Sequence, residues 1–169
     1  MMRSAAPVAA RHVAASGGRT VHVLGHRVTY KAVAEETGGT YSLFEAVIEP
    51  GSAVPPHYGR YDDETLWVLE GIFGLRLGDE MLELRPGSYA FVPRGTVHAL
   101  ANVGRGPGRL LLLVTPGGLC EKYLDELGGA RGVPQALAGP TDIERAAAIA
   151  AKYGTEFLPE THASPGKES

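Results

Sequence analysis

The sequence predicts an all-β fold, an antiparallel β-barrel, followed by two short helices that pack outside it. Residues 20–115 form short apolar or alternating runs separated by glycine, proline and aspartate, as is typical of a sandwich or small barrel. Helical periodicity begins only after Pro116. Between two of the runs, Pro86-Gly87 has the residue order of a type II turn.

Eight segments are predicted to be strands because each is rich in β-branched, aromatic or alternating apolar residues and ends at turn residues. They are residues 21–24, 40–49, 65–70, 73–77, 81–84, 89–92, 97–100 and 109–115. Aromatic residues on or beside these segments are expected to fill the core for the most part. They are Tyr41, Phe44, Trp67, Phe73, Tyr89 and Phe91.

Two amphipathic helices are predicted after the barrel. In the first, apolar residues recur at helical spacing from Leu119 to Leu127, and glycine follows as a C-cap would. In the second, Thr141 and Glu144 form a capping-box pair, and Gly154 closes the helix. We expect one domain rather than two. Its parts are a flexible arm at residues 1–18, the barrel at 19–116, a helical appendage at 117–158 and a disordered tail at 159–169.

Composition limits the classes of function. Charged residues make up 21% of the 169 residues and the net charge is −3, so no basic surface for nucleic acid is expected. A run of about 18 apolar residues, which a membrane span requires, is absent. Cys120 is the single cysteine and the start lacks the apolar core of a signal peptide, so we expect a cytoplasmic protein with a small-molecule partner.

The candidate chemistry lies in two segments, one from Gly51 to Gly71 and one from Gly87 to Asn102. They resemble the paired signature motifs of the cupin superfamily. Its first motif is glycine, five residues, His-x-His, a short loop, glutamate, six residues and glycine. Its second is glycine, five residues, Pro-x-Gly, two residues, histidine, three residues and asparagine. The residues in register are Gly51, His57, Glu64 and Gly71, then Gly87, Pro93, Gly95, His98 and Asn102.

The resemblance implies a cupin-type antiparallel barrel, also called a double-stranded β-helix or jelly roll, and a homodimer. It also implies a metal site made of His57, Glu64 and His98, which would be the catalytic residues too. The run from Asp62 to Gly71 and the segments after Pro116 resemble small bacterial single-domain cupins of the quercetin-dioxygenase-like group.

The chain departs from this pattern at Gly59, where the family has its second histidine. Two imidazoles and one carboxylate remain, the donor set of facial triads that hold Fe(II) with open positions. The same donors also suit nickel, cobalt, manganese and zinc, so the identity of the divalent metal is undetermined. A barrel that has lost the metal and kept only its pocket is a further alternative. A donor from residues 60–63 is a further option. Restoring histidine at position 59 is expected to raise metal affinity.

Three functions stay open. The first is a metal-dependent, dioxygenase-like enzyme, similar to quercetinase, in which Glu64 binds metal and accepts a proton. The second is a non-redox isomerase, epimerase or cyclase of a natural-product-type substrate, with or without metal. The third is a cupin that binds a small molecule without turnover. Glu64 could instead pair with Arg60 at the surface. His22 and His26 are expected at an edge, and Cys120 is expected to be an inert buried thiol.

Overall fold

Two antiparallel sheets form the body of the computed structural model, which describes residues 8–128 and 140–159. The first sheet has the order β1-β2-β3-β10-β5-β8, and the second has the order β11-β4-β9-β6-β7. The strands are β1 Thr20–Val23, β2 His26–Ala32, β3 Ser42–Ile48, β4 Ala53–Gly59, β5 Asp63–Glu70, β6 Phe73–Leu77, β7 Glu80–Leu84, β8 Tyr89–Val92, β9 His98–Asn102, β10 Gly108–Thr115 and β11 Thr155–Phe157. The predicted antiparallel β-barrel is therefore confirmed.

The core lies between the two sheets because inward and outward side chains alternate along each strand. Phe44 of β3 and Phe73 of β6 are fully buried, and so are Leu75 and Leu110. Burying a side chain of this size contributes roughly 1.5–3 kcal/mol. The inner faces of both sheets thus supply one continuous apolar interior.

Three predicted core aromatics lie outside instead. Trp67, Tyr89 and Phe91 are each about half exposed on the outer face of β5 and β8. These three residues have odd residue numbers, whereas the inward residues of β5, such as Leu66 and Val68, have even ones. The prediction failed because aromatic content indicates a strand but does not indicate which face of the strand is buried. The expected homodimer stays a prediction.

The sequence missed three strands and one short helix, α1 (Ala34–Thr37). Strand β4 contains Pro55 and Pro56, which cannot donate backbone hydrogen bonds, and its pairing with β9 is irregular between Val54 and His57. Strand β11 is only three residues long, so it carries almost no alternation signal. Strand β2 does alternate, with Val28 and Tyr30 buried between polar residues, so the sequence carried its signal and the prediction overlooked it.

Both predicted helices are present, as α2 (Leu119–Gly128) and α3 (Pro140–Lys152). Helix α2 packs on the first sheet through Leu124 and Leu127, which are buried. Its Asp125 carboxylate accepts a hydrogen bond from the Tyr30 hydroxyl at 2.7 Å. Its Glu121 carboxylate accepts one from the Ala34 backbone N–H at 2.6 Å. These bonds fix α2 relative to the barrel.

The expected domain boundaries stay predictions. Residues 8–18 contain no helix or strand, and Lys31 donates hydrogen bonds to the carbonyls of Ala15 at 2.7 Å and Gly17 at 2.9 Å. The rest of the arm, residues 129–139 of the appendage and nearly all of the predicted tail lie outside the described residues. So does the side chain of Thr141. None of the helices in the described ranges is long and apolar enough to cross a bilayer.

Candidate functional site

The pairing of β4 with β9 places two imidazoles side by side in the barrel interior. His57 and His98 are direct partners in this ladder, and their ring centroids are 4.2 Å apart at an interplanar angle of 53°. Both side chains are buried. Because residues directly opposite each other in adjacent strands point to the same face, this register alone brings together residues 41 positions apart in sequence.

Glu64 reaches the same point from the other sheet. It lies on β5, on the inward face with Leu66 and Val68. One carboxylate oxygen, Oε1, is 3.9 Å from His57 Nε2, and the other, Oε2, is 3.4 Å from His98 Nε2. The three predicted site residues therefore converge across the interior, with their ligand atoms within 4.8 Å of one another.

Backbone carbonyls orient both imidazoles. His57 Nδ1 is 2.8 Å from the Pro55 carbonyl oxygen, and His98 Nδ1 is 3.0 Å from the Thr96 carbonyl oxygen. A carbonyl only accepts, so each Nδ1 carries the proton and donates it. Each Nε2 is left facing Glu64, free to bind a proton or a metal. This is the arrangement that metal-binding histidines commonly have.

The electrostatics match a site that holds a cation. Burial would raise the pKa of Glu64, but the hydrogen bond and charge of His98, with the charge of His57, lower it below its ordinary value. Burial opposes a charge on His98, yet Glu64 raises the pKa of that imidazole. Burial and the charge of His98 lower the pKa of His57. When no metal is bound, these pKa directions favour an ionised Glu64 paired with a protonated His98.

The residues present suit a divalent metal. Two imidazole nitrogens and a carboxylate oxygen are donors that iron, zinc, cobalt, nickel and manganese accept. Each of the three residues offers a ligand atom within 4.8 Å of the other two, so the cluster is compact enough to hold one ion.

The space for a side chain at position 59 is filled by Asp62. A Cβ atom added to Gly59 would lie 2.3 Å from Asp62 Oδ1 and 3.1 Å from the Asp62 carbonyl oxygen. The Asp62 carboxylate is buried beside Glu64, and burial together with that negative charge raises its pKa to about 6. A histidine at position 59 would therefore first have to displace the Asp62 carboxylate, and the expectation that it raises metal affinity stays a prediction. Asp62 is the member of loop 60–63 whose carboxylate faces inward.

Other residues of this loop face outward. Arg60 Nε is 3.0 Å from Glu156 Oε1, so Arg60 is not the partner of Glu64 and the surface-pair alternative is wrong. Asp63 accepts hydrogen bonds from Arg94, which lower the pKa of Asp63 to about 2. Within this loop, the Asp62 carboxylate thus faces the cavity, whereas Asp63 forms an ion pair with Arg94 on the outside.

The cluster opens onto an internal cavity of about 140 Å³. Aliphatic side chains of both sheets form most of its wall, and α2 contributes Cys120, Tyr123 and Leu124. A larger surface groove of about 460 Å³ borders Pro55 and Arg76, but none of the three clustered side chains lines it. We therefore assign the chemistry to the smaller, internal cavity. Besides the Cys120 thiol, the polar side chains in its wall are His26, His57, Asp62, Glu64, His98, Tyr123 and Thr155.

Two cavity residues were missed by the sequence analysis. His26 was expected at an edge, yet only 4% of it is exposed and it lines the cavity. The β1–β2 hairpin turns this end of β2 inward, which spacing within the sequence does not reveal. Phe157 of β11 stacks on His57, with ring centroids 5.4 Å apart and an interplanar angle of 24°. No sequence motif marks this residue.

The remaining conspicuous residues have structural roles. Asn102 is buried, and its amide donates to the carbonyls of Ile48 at 2.8 Å and Gly106 at 2.9 Å. Gly71 has a φ of +86°, and a Cβ there would approach Gly108 Cα to 2.7 Å. Cys120 lines the cavity, and burial raises the pKa of its thiol, which therefore stays protonated.

Part of the chain is similar in sequence to known proteins. Residues 44–114 match the cupin domain family. The tetracenomycin polyketide synthase protein TcmJ of Streptomyces glaucescens is 34% identical over 80 residues, 46% of this chain and 54% of that protein. The chain thus spans about half the length of that relative. Quercetin 2,3-dioxygenase of Bacillus subtilis is 30% identical over 74 residues, 44% of this chain and 21% of that enzyme.

Among solved structures, the polyketide cyclase RemF of Streptomyces resistomycificus has a similar fold. The TM-score is 0.55 at 23% sequence identity, and the superposition covers 63% of this chain and 80% of that one. This likeness concerns the fold alone.

Proposed function

Because this chain belongs to the cupin superfamily, we propose that His57, Glu64 and His98 bind a divalent metal and that the protein is an enzyme acting on a small organic molecule beside it. One observation carries the proposal. Both imidazoles donate from Nδ1 to carbonyls, so both Nε2 atoms face Glu64 at the wall of the cavity. Side chains that only satisfied each other would not need both Nε2 atoms directed at one carboxylate.

The chain's own residues supply binding and proton transfer. A bound divalent metal would polarise an enol, hydroxyl or carbonyl oxygen of the substrate. Glu64 is ionised and can accept a proton at a carboxylate oxygen, and His98 Nε2 is close enough to share that proton. The aliphatic wall excludes water, which strengthens both interactions.

An oxygen-dependent, dioxygenase-like reaction is the first candidate. Two histidines and one carboxylate leave open positions for oxygen and substrate. A relative at 30% identity is named a quercetin dioxygenase. Drug-sized ligands occupy pockets of roughly 300–1,000 Å³. The cavity here is about 140 Å³, so we propose a substrate smaller than a three-ring flavonol.

A non-redox isomerisation or cyclisation is the second candidate. It needs only the ionised Glu64, a neighbouring imidazole that shares its proton and a polarised substrate oxygen. The name of one relative favours it, since TcmJ is a tetracenomycin polyketide synthase protein. Simple binding without turnover is the third alternative.

Metal analysis and oxygen uptake test these alternatives. Protein purified without added metal should contain close to one divalent metal per chain, or take one up from a Co²⁺ titration. Oxygen consumption with acetylacetone, a small enolisable diketone, supports the dioxygenase-like reaction, and quercetin serves as the oversized comparison. Metal without oxygen uptake contradicts the first candidate. A protein that binds no metal under either condition contradicts the proposal itself.

A further inference from the structure

His26 is a buried polar side chain with no partner for its polar atoms. Among the described residues, neither Nδ1 nor Nε2 makes a hydrogen bond. The Ala53 backbone lies near the ring without the geometry of a hydrogen bond. An unpaired donor and acceptor in an apolar wall destabilise a fold, so nearly all such groups in proteins are satisfied. The imidazole therefore indicates a missing polar partner inside the cavity.

The chemistry of the ring limits that partner. Burial lowers the pKa of His26, which favours the neutral imidazole with one donor nitrogen and one acceptor nitrogen. A hydroxyl group can pair with whichever ring nitrogen faces the cavity, because it both donates and accepts. A carboxylate, which only accepts, could pair with the N–H nitrogen alone.

The volume of the cavity limits the rest of the ligand. An engineered apolar cavity of roughly 150 Å³ binds benzene. The cavity here is about 140 Å³, and apart from its polar groups its wall is made of aliphatic and aromatic side chains. A single six-membered ring therefore fills it. Oxygen substituents on that ring are favourable only at positions next to the polar groups of the wall.

We infer that His26 is a specificity-determining residue that binds a hydroxyl group of a single-ring substrate, while a second oxygen on that ring faces the His57–Glu64–His98 cluster. The ligand class is a dihydroxylated ring or a ring with one hydroxyl and one enol oxygen. The inference rests on the proposed function insofar as it places the substrate in the same cavity.

The test compares ligands that carry one or two hydroxyls. Anaerobic binding of phenol, catechol, resorcinol and hydroquinone is measured by calorimetry on the full-length protein. One of the three diols should bind about five- to tenfold more tightly than phenol, as expected for one added hydrogen bond. In His26→Leu this preference should fall to less than about twofold, and in His26→Gln part of it should remain.

Two controls separate this inference from the proposed function. His22→Leu removes another histidine of the same hairpin that does not line the cavity, so the diol preference should persist. Co²⁺ affinity should be the same in His26→Leu and the wild type. If the wild type binds no Co²⁺ but still prefers a diol to phenol, only the proposed function is contradicted. Equal binding of phenol and the diols, a preference that survives in His26→Leu, or no binding of any probe overturns the inference.

Discussion

The two ends of the cavity differ in how their polar groups are satisfied. At the metal-type end, His57 and His98 are held by backbone carbonyls and face Glu64. At the other end, His26 has no partner among the described residues. The first end is preorganised by strand pairing, whereas the second is complete only when something else occupies the cavity. We thus propose reaction and recognition for different polar groups in the wall of one small cavity.

The largest expected effect concerns the reacting end. Glu64→Ala removes the group that accepts the proton, so turnover should fall by about 10²–10⁴-fold. Glu70→Gln is the matched control, since Glu70 lies on the same strand with an exposed carboxylate. Steady-state kinetics on both variants, with circular dichroism for folding, checks this. Full activity in a folded Glu64→Ala protein would exclude the proposed role.

Substitution of Gly59 is a second way to alter the His57–Glu64–His98 cluster. In Gly59→His the new side chain collides with Asp62 Oδ1, so we expect a loss of about 1–3 kcal/mol in stability and no gain in Co²⁺ affinity. Combining it with Asp62→Ala removes the collision, and the added imidazole should then raise Co²⁺ affinity by about tenfold or more. Thermal unfolding and calorimetry measure both. Higher Co²⁺ affinity in Gly59→His alone would show that the Asp62 side chain moves aside at little cost.

The pH dependence of metal binding follows from His98. Its pKa is raised by Glu64, so its stabilising ion pair is complete below about pH 6.5 and is lost as pH rises through the raised value. The contribution of Glu64 is lost as pH falls through its lowered pKa. Metal must displace the His98 proton, so Co²⁺ affinity should increase with pH by up to about tenfold per unit and then level off. Affinity that is flat between about pH 6 and 8 would contradict this proton competition.

How far the sequence predicts this molecule depends on whether a feature is local or arises from packing. Alternation and turn residues predicted an all-β sandwich or small barrel, and the resemblance to the cupin motifs implied that His57, Glu64 and His98 converge. The register of the strands brings His57 and His98 together. The His26 end depends on how the β1–β2 hairpin and α2 lie on the barrel. The filling of the Gly59 space depends on the conformation of a short loop. Neither leaves a periodic signal in the sequence.

The smallest expected effect concerns the strand that supports His57. Phe157→Leu removes the stacked ring, and an aromatic contact is worth about 0.5–1.5 kcal/mol, so Co²⁺ affinity should fall by about two- to tenfold. Leu158→Ala, at the partly exposed neighbouring position, should leave it unchanged. Calorimetric titration compares the two. Equal affinities in both variants and the wild type would show that β11 does not position the imidazole.

Anomalous diffraction from crystals soaked in Co²⁺ shows directly whether His57, Glu64 and His98 bind a metal. We predict one strong peak per chain, within bonding distance of His57 Nε2, His98 Nε2 and a Glu64 carboxylate oxygen, with no comparable peak elsewhere. A fully soaked crystal without a peak at these three atoms, or with its strong peak at another site, would contradict the assignment of this barrel as a metal-binding enzyme.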